Sequence, residues 1–366
     1  MKNSVSLFVL TLICLAGIQS VRSQGKFSGY MFGDWYYNVT RDTSFNPPHT
    51  GPGKTALSGP KDLNGFQFRR IYFAYDNDIS EKFTSRFRLE ADQSALSGTK
   101  ILPVVKDAYL KWKDIFSGSD FVFGIQPTTA FDISEAAWGY RSLDKTIMDL
   151  RGVIPSRDFG ISLRGKIDEA GMWNYWAMIS NSDGNSPNTG KYHRYAANID
   201  VKPVDKLQID VNADYRSLPS VNDITSVSSP KATVSNSIKT LSAFVGYKES
   251  DWSLGGEAFS SSQANNFVNA SGAQVSLTQI GLSLWGTYSF QPNLAAVLRY
   301  DYYDPNFSSD SKGDMRNYII GGLSWKADKN VSIIPNIQYE SYEAPTNGTA
   351  PDASVNARVT FYYIFL

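Results

Sequence analysis

The feature that most constrains this chain is an alternation of apolar and polar residues at every second position, repeated in blocks of about ten residues from Lys26 to the C-terminus. In one block Leu207, Ile209, Val211, Ala213 and Tyr215 alternate with Gln208, Asp210, Asn212, Asp214 and Arg216. Successive side chains of an extended strand point to opposite faces, so every apolar residue of the block falls on one face. Phe83, Phe87, Leu89 and Ala91 alternate in the same way with Thr84, Arg86, Arg88, Glu90 and Asp92. So do Val331, Ile333, Ile337 and Tyr339 with Ser332, Asn336, Gln338 and Glu340, and Leu294, Ala296, Leu298, Tyr300 and Tyr302 with a set that includes Arg299 and Asp301.

The pattern predicts sixteen strands. In the first half they lie near residues 26–39, 64–77, 81–92, 104–114, 119–126, 156–167, 171–180 and 191–202. The second half adds 205–216, 236–249, 251–262, 275–290, 292–304, 315–327, 330–342 and 353–366. Connections alternate between tight turns, as at 78–80 and 203–204, and long Ser/Asn/Gly/Pro-rich stretches at 40–63, 217–235, 263–274 and 344–352. An even strand count with tight turns at one end and long polar loops at the other is the pattern of an outer-membrane barrel. The expected fold is therefore all-β, a transmembrane antiparallel β-barrel forming a single domain over 24–366.

Composition excludes other classes. The 366 residues hold 35 Lys plus Arg against 35 Asp plus Glu, 21 Tyr, 21 Phe, 8 Trp, 2 His and 1 Cys. Mean hydropathy is negative, and the one long apolar run is N-terminal, which rules out a helical membrane bundle. The aromatic content excludes a disordered chain. A balanced charge argues against a nucleic-acid binder, and so few Cys and His leave no zinc or disulfide scaffold. A secreted sandwich that binds carbohydrate would also alternate. Against it stand the charge-rich polar faces and the aromatic clusters near strand ends, Trp35-Tyr36-Tyr37, Tyr300 with Tyr302-Tyr303, and Phe361-Tyr362-Tyr363, where interfacial girdles would lie. The chain also ends inside a strand, with Val355, Ala357, Val359, Phe361, Tyr363 and Phe365 on one face. This strand resembles the C-terminal signal read by the outer-membrane assembly machinery. An open edge in hydrocarbon would leave backbone amides without partners, so the first strand must pair with the last.

Residues 2–23 read as a secretory signal peptide: a basic start, an apolar core from Val5 to Ile18, and a cut after Ser23. Cys14 lies in that core without the small residue before it that lipidation requires. Cleavage removes Lys2 and Arg22 and no acid, so 35 bases become 33 against 35 acids, a formal charge of −2. The expected location is the outer membrane of a Gram-negative bacterium, in contact with its lipid.

The segment 127–155, PTTAFDISEAAWGYRSLDKTIMDLRGVIP, differs from the other connections in its mixed charge and its apolar Phe131, Trp138 and Ile147. A sixteen-strand barrel leaves an aqueous channel, and we expect this segment to fold inward and narrow it. Asp132, Glu135, Arg141, Lys145, Asp149, Arg151 and Arg157 would then face the constriction, with Arg86, Arg88 and Arg164 on the wall. In a confined channel such charges set ion preference.

Gly65 to Asp92, GFQFRRIYFAYDNDISEKFTSRFRLEAD, resembles the early hairpin of the phosphate-selective porins O and P. Ser156 to Gly165, SRDFGISLRG, resembles their motif after the constriction loop. The resemblance covers about half of the mature chain and implies a trimeric sixteen-stranded channel whose third loop lines the constriction, with arginines and lysines that attract anions such as phosphate. Arg69, Arg70, Arg86, Arg88, Arg157 and Arg164 fall in the matching region, with Glu90, Asp92 and Asp158 among them.

No cofactor is expected. Gly51-Pro52-Gly53-Lys54-Thr55 lacks the leading Gly of a phosphate loop, where Pro48 stands. His49 and His193 have no partners at metal spacing, and no Ser/His pair indicates an enzyme. The expected function is passive diffusion of small hydrophilic solutes or ions. A plugged barrel for a hydrophobic solute is the alternative within the same architecture.

Overall fold

The computed structural model describes residues 25–42, 59–97, 100–308 and 310–366. The signal peptide with Cys14, and the stretch with His49 and Gly51 to Thr55, lie outside the described residues.

Sixteen strands form one closed antiparallel barrel. In order they are β1 (Gly25–Thr40), β2 (Asn64–Asp78), β3 (Phe83–Ser97), β4 (Lys100–Phe116), β5 (Ser119–Pro127), β6 (Arg157–Lys166), β7 (Trp173–Ser180) and β8 (Arg194–Val204). They continue with β9 (Leu207–Asn222), β10 (Thr233–Lys248), β11 (Trp252–Val268), β12 (Gln274–Gln291), β13 (Leu294–Asp304), β14 (Arg316–Asp328), β15 (Val331–Tyr342) and β16 (Ser354–Ile364). Two short helices, α1 (Asp132–Trp138) and α2 (Ile147–Leu150), interrupt the connection between β5 and β6.

Each strand pairs with its sequence neighbour, and β1 closes on β16 from Tyr30 opposite Ile364 to Thr40 opposite Val355. Side chains reinforce the seam: Thr360 Oγ1 donates to Asp34 at 2.5 Å, and Arg41 Nη1 to Ser354 at 2.6 Å. The last strand ends at Ile364, yet the Phe365 amide still donates to the Gly29 carbonyl at 3.0 Å.

The wall is inverted relative to a water-soluble protein. Along β9 Asp210, Asn212 and Asp214 are buried, whereas Val211, Ala213 and Tyr215 are exposed. On β13 Arg299 and Asp301 are buried while Leu298 is 61% exposed. Polar side chains therefore face the interior and apolar ones the outside, which suits a lipid solvent. Exposed aromatics gather toward both strand ends. Trp112, Phe116, Trp173, Tyr288, Phe290 and Trp325 lie near the tight turns, and Trp35, Phe66 and Tyr300 toward the other end.

Several strands run farther than the alternation indicates. β9 extends to Asn222 and β11 to Val268, so the connections expected at 217–235 and 263–274 shrink to residues 223–232 and 269–273. The β3–β4 hairpin likewise extends to Ser97 and Lys100. The added segments, such as Gln263-Ala264-Asn265-Asn266-Phe267-Val268, mix polar with apolar residues and lack a continuous apolar face. Strands that continue beyond an apolar solvent need no apolar side, so hydrogen bonding persists where the sequence signal stops.

Candidate functional site: the barrel interior around residues 127–155

The segment between β5 and β6 is held by packing as well as by polar contacts. α1 ends at Gly139, whose φ of 68° is a left-handed conformation open to glycine at little cost, and the chain turns there. Trp138, almost fully buried, meets the ring of Trp285 edge-on at 5.9 Å, and Trp285 stacks on Phe244 at 5.7 Å. Gly255 makes this shelf possible, because a Cβ there would lie 2.4 Å from the Trp285 ring. Leu143, Val297, Tyr318, Ile320 and Ile334 complete the cluster. A second cluster joins Phe131, Ile147, Met148 and Ile154 to Phe259 of β11 and Tyr303 of β13. Most of these wall residues belong to β10–β15.

Hydrogen bonds extend the attachment to other parts of the wall. Tyr318 donates to Asp144 at 2.8 Å, Arg299 to the Lys145 carbonyl at 2.5 Å, and Gln338 to the Leu143 carbonyl at 3.3 Å. From β2, Arg69 donates to the Leu143 carbonyl at 2.9 Å and also to that of Ser142. Thr129 donates to Asn212 of β9 at 2.5 Å. One segment thus touches inward-facing side chains of β2, β9 and β13–β15.

The ten residues singled out from the sequence lie in different settings. Arg86 pairs with Asp76 at 2.8 Å on β2. Arg88 donates to the Tyr30 hydroxyl at 2.9 Å, lies 4.3 Å over the Tyr72 ring and sits 3.7 Å from Asp107, which also pairs with Arg157. Within the segment, Arg141 bridges Glu135 at 3.2 Å and Asp149 at 3.6 Å, and Lys145 reaches Asp149 at 2.9 Å. Burial pushes the Asp149 carboxyl up, but Lys145 and Arg141 outweigh it and hold that carboxyl well below its ordinary range. Asp132 goes the other way: burial raises it, with Arg157 opposing. Arg151 is sealed against Glu340 at 2.9 Å with both side chains 1% exposed.

Arg164 differs from the rest. Its guanidinium stacks over Trp176 at 5.2 Å, with no ion pair to it among the described residues. It borders a cavity of about 500 Å³ with Ile133, Asp120 and Asp200. The other arginines of the region are compensated, Arg69 by Asp34 at 2.6 Å and Arg70 by Glu90 at 3.5 Å and by Asp92.

The interior also holds tyrosines that the sequence reading does not single out as lumenal. Tyr30, Tyr72 and Tyr362 share the inward parity, with ring centroids 4.7 Å apart for Tyr30 and Tyr72 and 5.8 Å for Tyr30 and Tyr362. Tyr362 belongs to a cluster attributed to a lipid girdle. Its neighbours Phe361 and Tyr363 do point outward, and the same period of two that exposes them turns Tyr362 inside.

No protein-family profile matches the chain, and no curated protein matches it. Solved structures do. The outer membrane channel DcaP of Acinetobacter baumannii aligns over 95% of this chain and 99% of its own, with TM-score 0.64 and 14% identity. The fold is that of outer-membrane barrel porins. An anion-selective porin from Comamonas acidovorans aligns over 94% and 100%, with TM-score 0.63 and 11% identity. OmpT of Vibrio cholerae aligns over 95% and 99%, with TM-score 0.61 and 12% identity. At these identities the likeness is one of fold, and the resemblance to the phosphate-selective porins O and P rests on the two motifs quoted above.

Proposed function

We propose that the chain is a porin of a Gram-negative outer membrane, a water-filled channel for passive diffusion of small hydrophilic solutes. The observation that carries this reading is the inverted, closed wall. Sixteen strands enclose a lumen too wide for side chains to fill, and apart from the apolar shelf on β10–β15 the residues turned toward it are mostly polar and charged. In this reading residues 1–23 are removed on export, 24–366 form the barrel, and β16 carries the assembly signal.

Residues 127–155 act as the constriction. Contacts from this one segment to β2 and β15 on one side and to β9 on the opposite side of the barrel support that role. Asp132, Glu135, Arg141, Lys145 and Asp149 then meet the permeating solute from the loop, and Arg86, Arg88, Arg157 and Arg164 from the wall. Arg151 anchors the loop through Glu340. Because nearly every arginine of the region is matched by a carboxylate, the channel prefers anions weakly and is not dedicated to phosphate. Three copies assemble, as the family resemblance implies; a trimer form is described for OmpT of Vibrio cholerae.

Liposome swelling tests the reading. Proteoliposomes should admit small sugars and amino acids at rates that fall steeply with solute size. Swelling no faster than in protein-free liposomes would overturn it.

A further inference from the structure

Between residues 138–142 of the loop and the tight-turn end of β10–β16 lies a cavity of about 660 Å³, within the size range of small-molecule sites. Its lining is unlike the ion-paired wall of β2–β4. Tyr30, Tyr140 and Tyr362 border it, together with a run of hydroxyls from Ser142, Ser253, Thr287, Ser289, Ser324 and Ser332. Two of these hydroxyls, on Ser253 and Thr287, lie 2.7 Å apart. Its arginine, Arg141, is held by Glu135 and Asp149, and the remaining charges, Lys248, Lys326, Glu249 and Asp251, sit at the turn end, where Glu249 pairs with Lys206 at 2.6 Å.

The geometry points to a binding subsite for an uncharged, polyhydroxylated ring solute, a mono- to trisaccharide, in this cavity. Tyrosine rings offer broad apolar faces with a polar tip, suited to the C–H face of a pyranose. Ser and Thr hydroxyls can each donate and accept, so they exchange hydrogen bonds with sugar hydroxyls without requiring charge. A hydrophobic solute would leave those hydroxyls unpaired at a cost. An anion would find Arg141 already neutralised.

The inference deepens the channel reading and rests on it, so the test must separate the two. Full-length protein in planar bilayers is titrated with maltotriose and, in parallel, with a polyethylene glycol of the same hydrodynamic radius. Maltotriose should lower the single-channel current saturably, whereas the polymer should act in proportion to its concentration. In Tyr362→Ala the half-blocking maltotriose concentration should rise on the order of fivefold, and Tyr140→Leu, outside the strands, supplies the same readout should the first variant fail to fold. Open channels whose block by maltotriose is unsaturable and matches the polymer would overturn the subsite and leave the channel standing. Block unchanged in both folded variants would overturn this assignment of the site. Folded protein that opens no channel would overturn both.

Discussion

Arg164 stands on the inward face of β6 with an aromatic ring beneath it and no carboxylate in contact among the described residues. Arg86 has Asp76, and Arg88 and Arg157 share Asp107. A paired arginine contributes a dipole to the lumen, and an uncompensated one contributes a net field. Two unit charges about 5 Å apart in water interact by roughly 0.8 kcal/mol. Arg164→Ala should therefore shift the anion-to-cation permeability ratio toward cations by a factor of about two to four, read as a change in reversal potential across a salt gradient. An unchanged potential would assign Arg164 to structure alone. The arginines themselves were legible from their parity in the sequence. Their carboxylate partners were only partly so, because Arg157 meets Asp107 fifty residues away and register across β4–β6 decides that contact.

At the scale of elements, apolar residues of the loop between β5 and β6 are seated on an aromatic shelf. Trp138 is its main anchor, also donating its indole N–H to the Asp144 carbonyl at 2.9 Å. Truncating a buried Trp costs about 3–5 kcal/mol. Trp138→Ala should loosen the loop while β-strand pairing persists, giving noisier single-channel currents with a higher mean conductance than wild type. Quiet traces at wild-type conductance would show that the loop does not narrow the path. The sequence marked this segment by its unusual Phe131, Trp138 and Ile147, but not the surface receiving them. Phe244, Trp285 and Gly255 sit on inward positions of strands whose other inward residues, Phe259 of β11 apart, are mostly polar. Their role follows only from how the loop folds back. The strands were legible because one face must be apolar in lipid, and their extensions past the apolar zone were not, because Ser, Asn and Gln there face water on both sides.

For the whole molecule, closure and inversion go together. Pairing β1 with β16 removes the last free sheet edge, so every strand can present apolar side chains to hydrocarbon without stranding backbone amides. Many of the charged residues lie on the inner face and pair with one another there. The measurement that tests this account most directly is the conductance of purified, folded protein in a planar lipid bilayer. The account predicts discrete current steps at moderate voltage, grouped in three levels for a trimer, with only weak preference for anions. Protein that has inserted and shows the heat-dependent gel mobility of a folded barrel, yet passes no current, would contradict it.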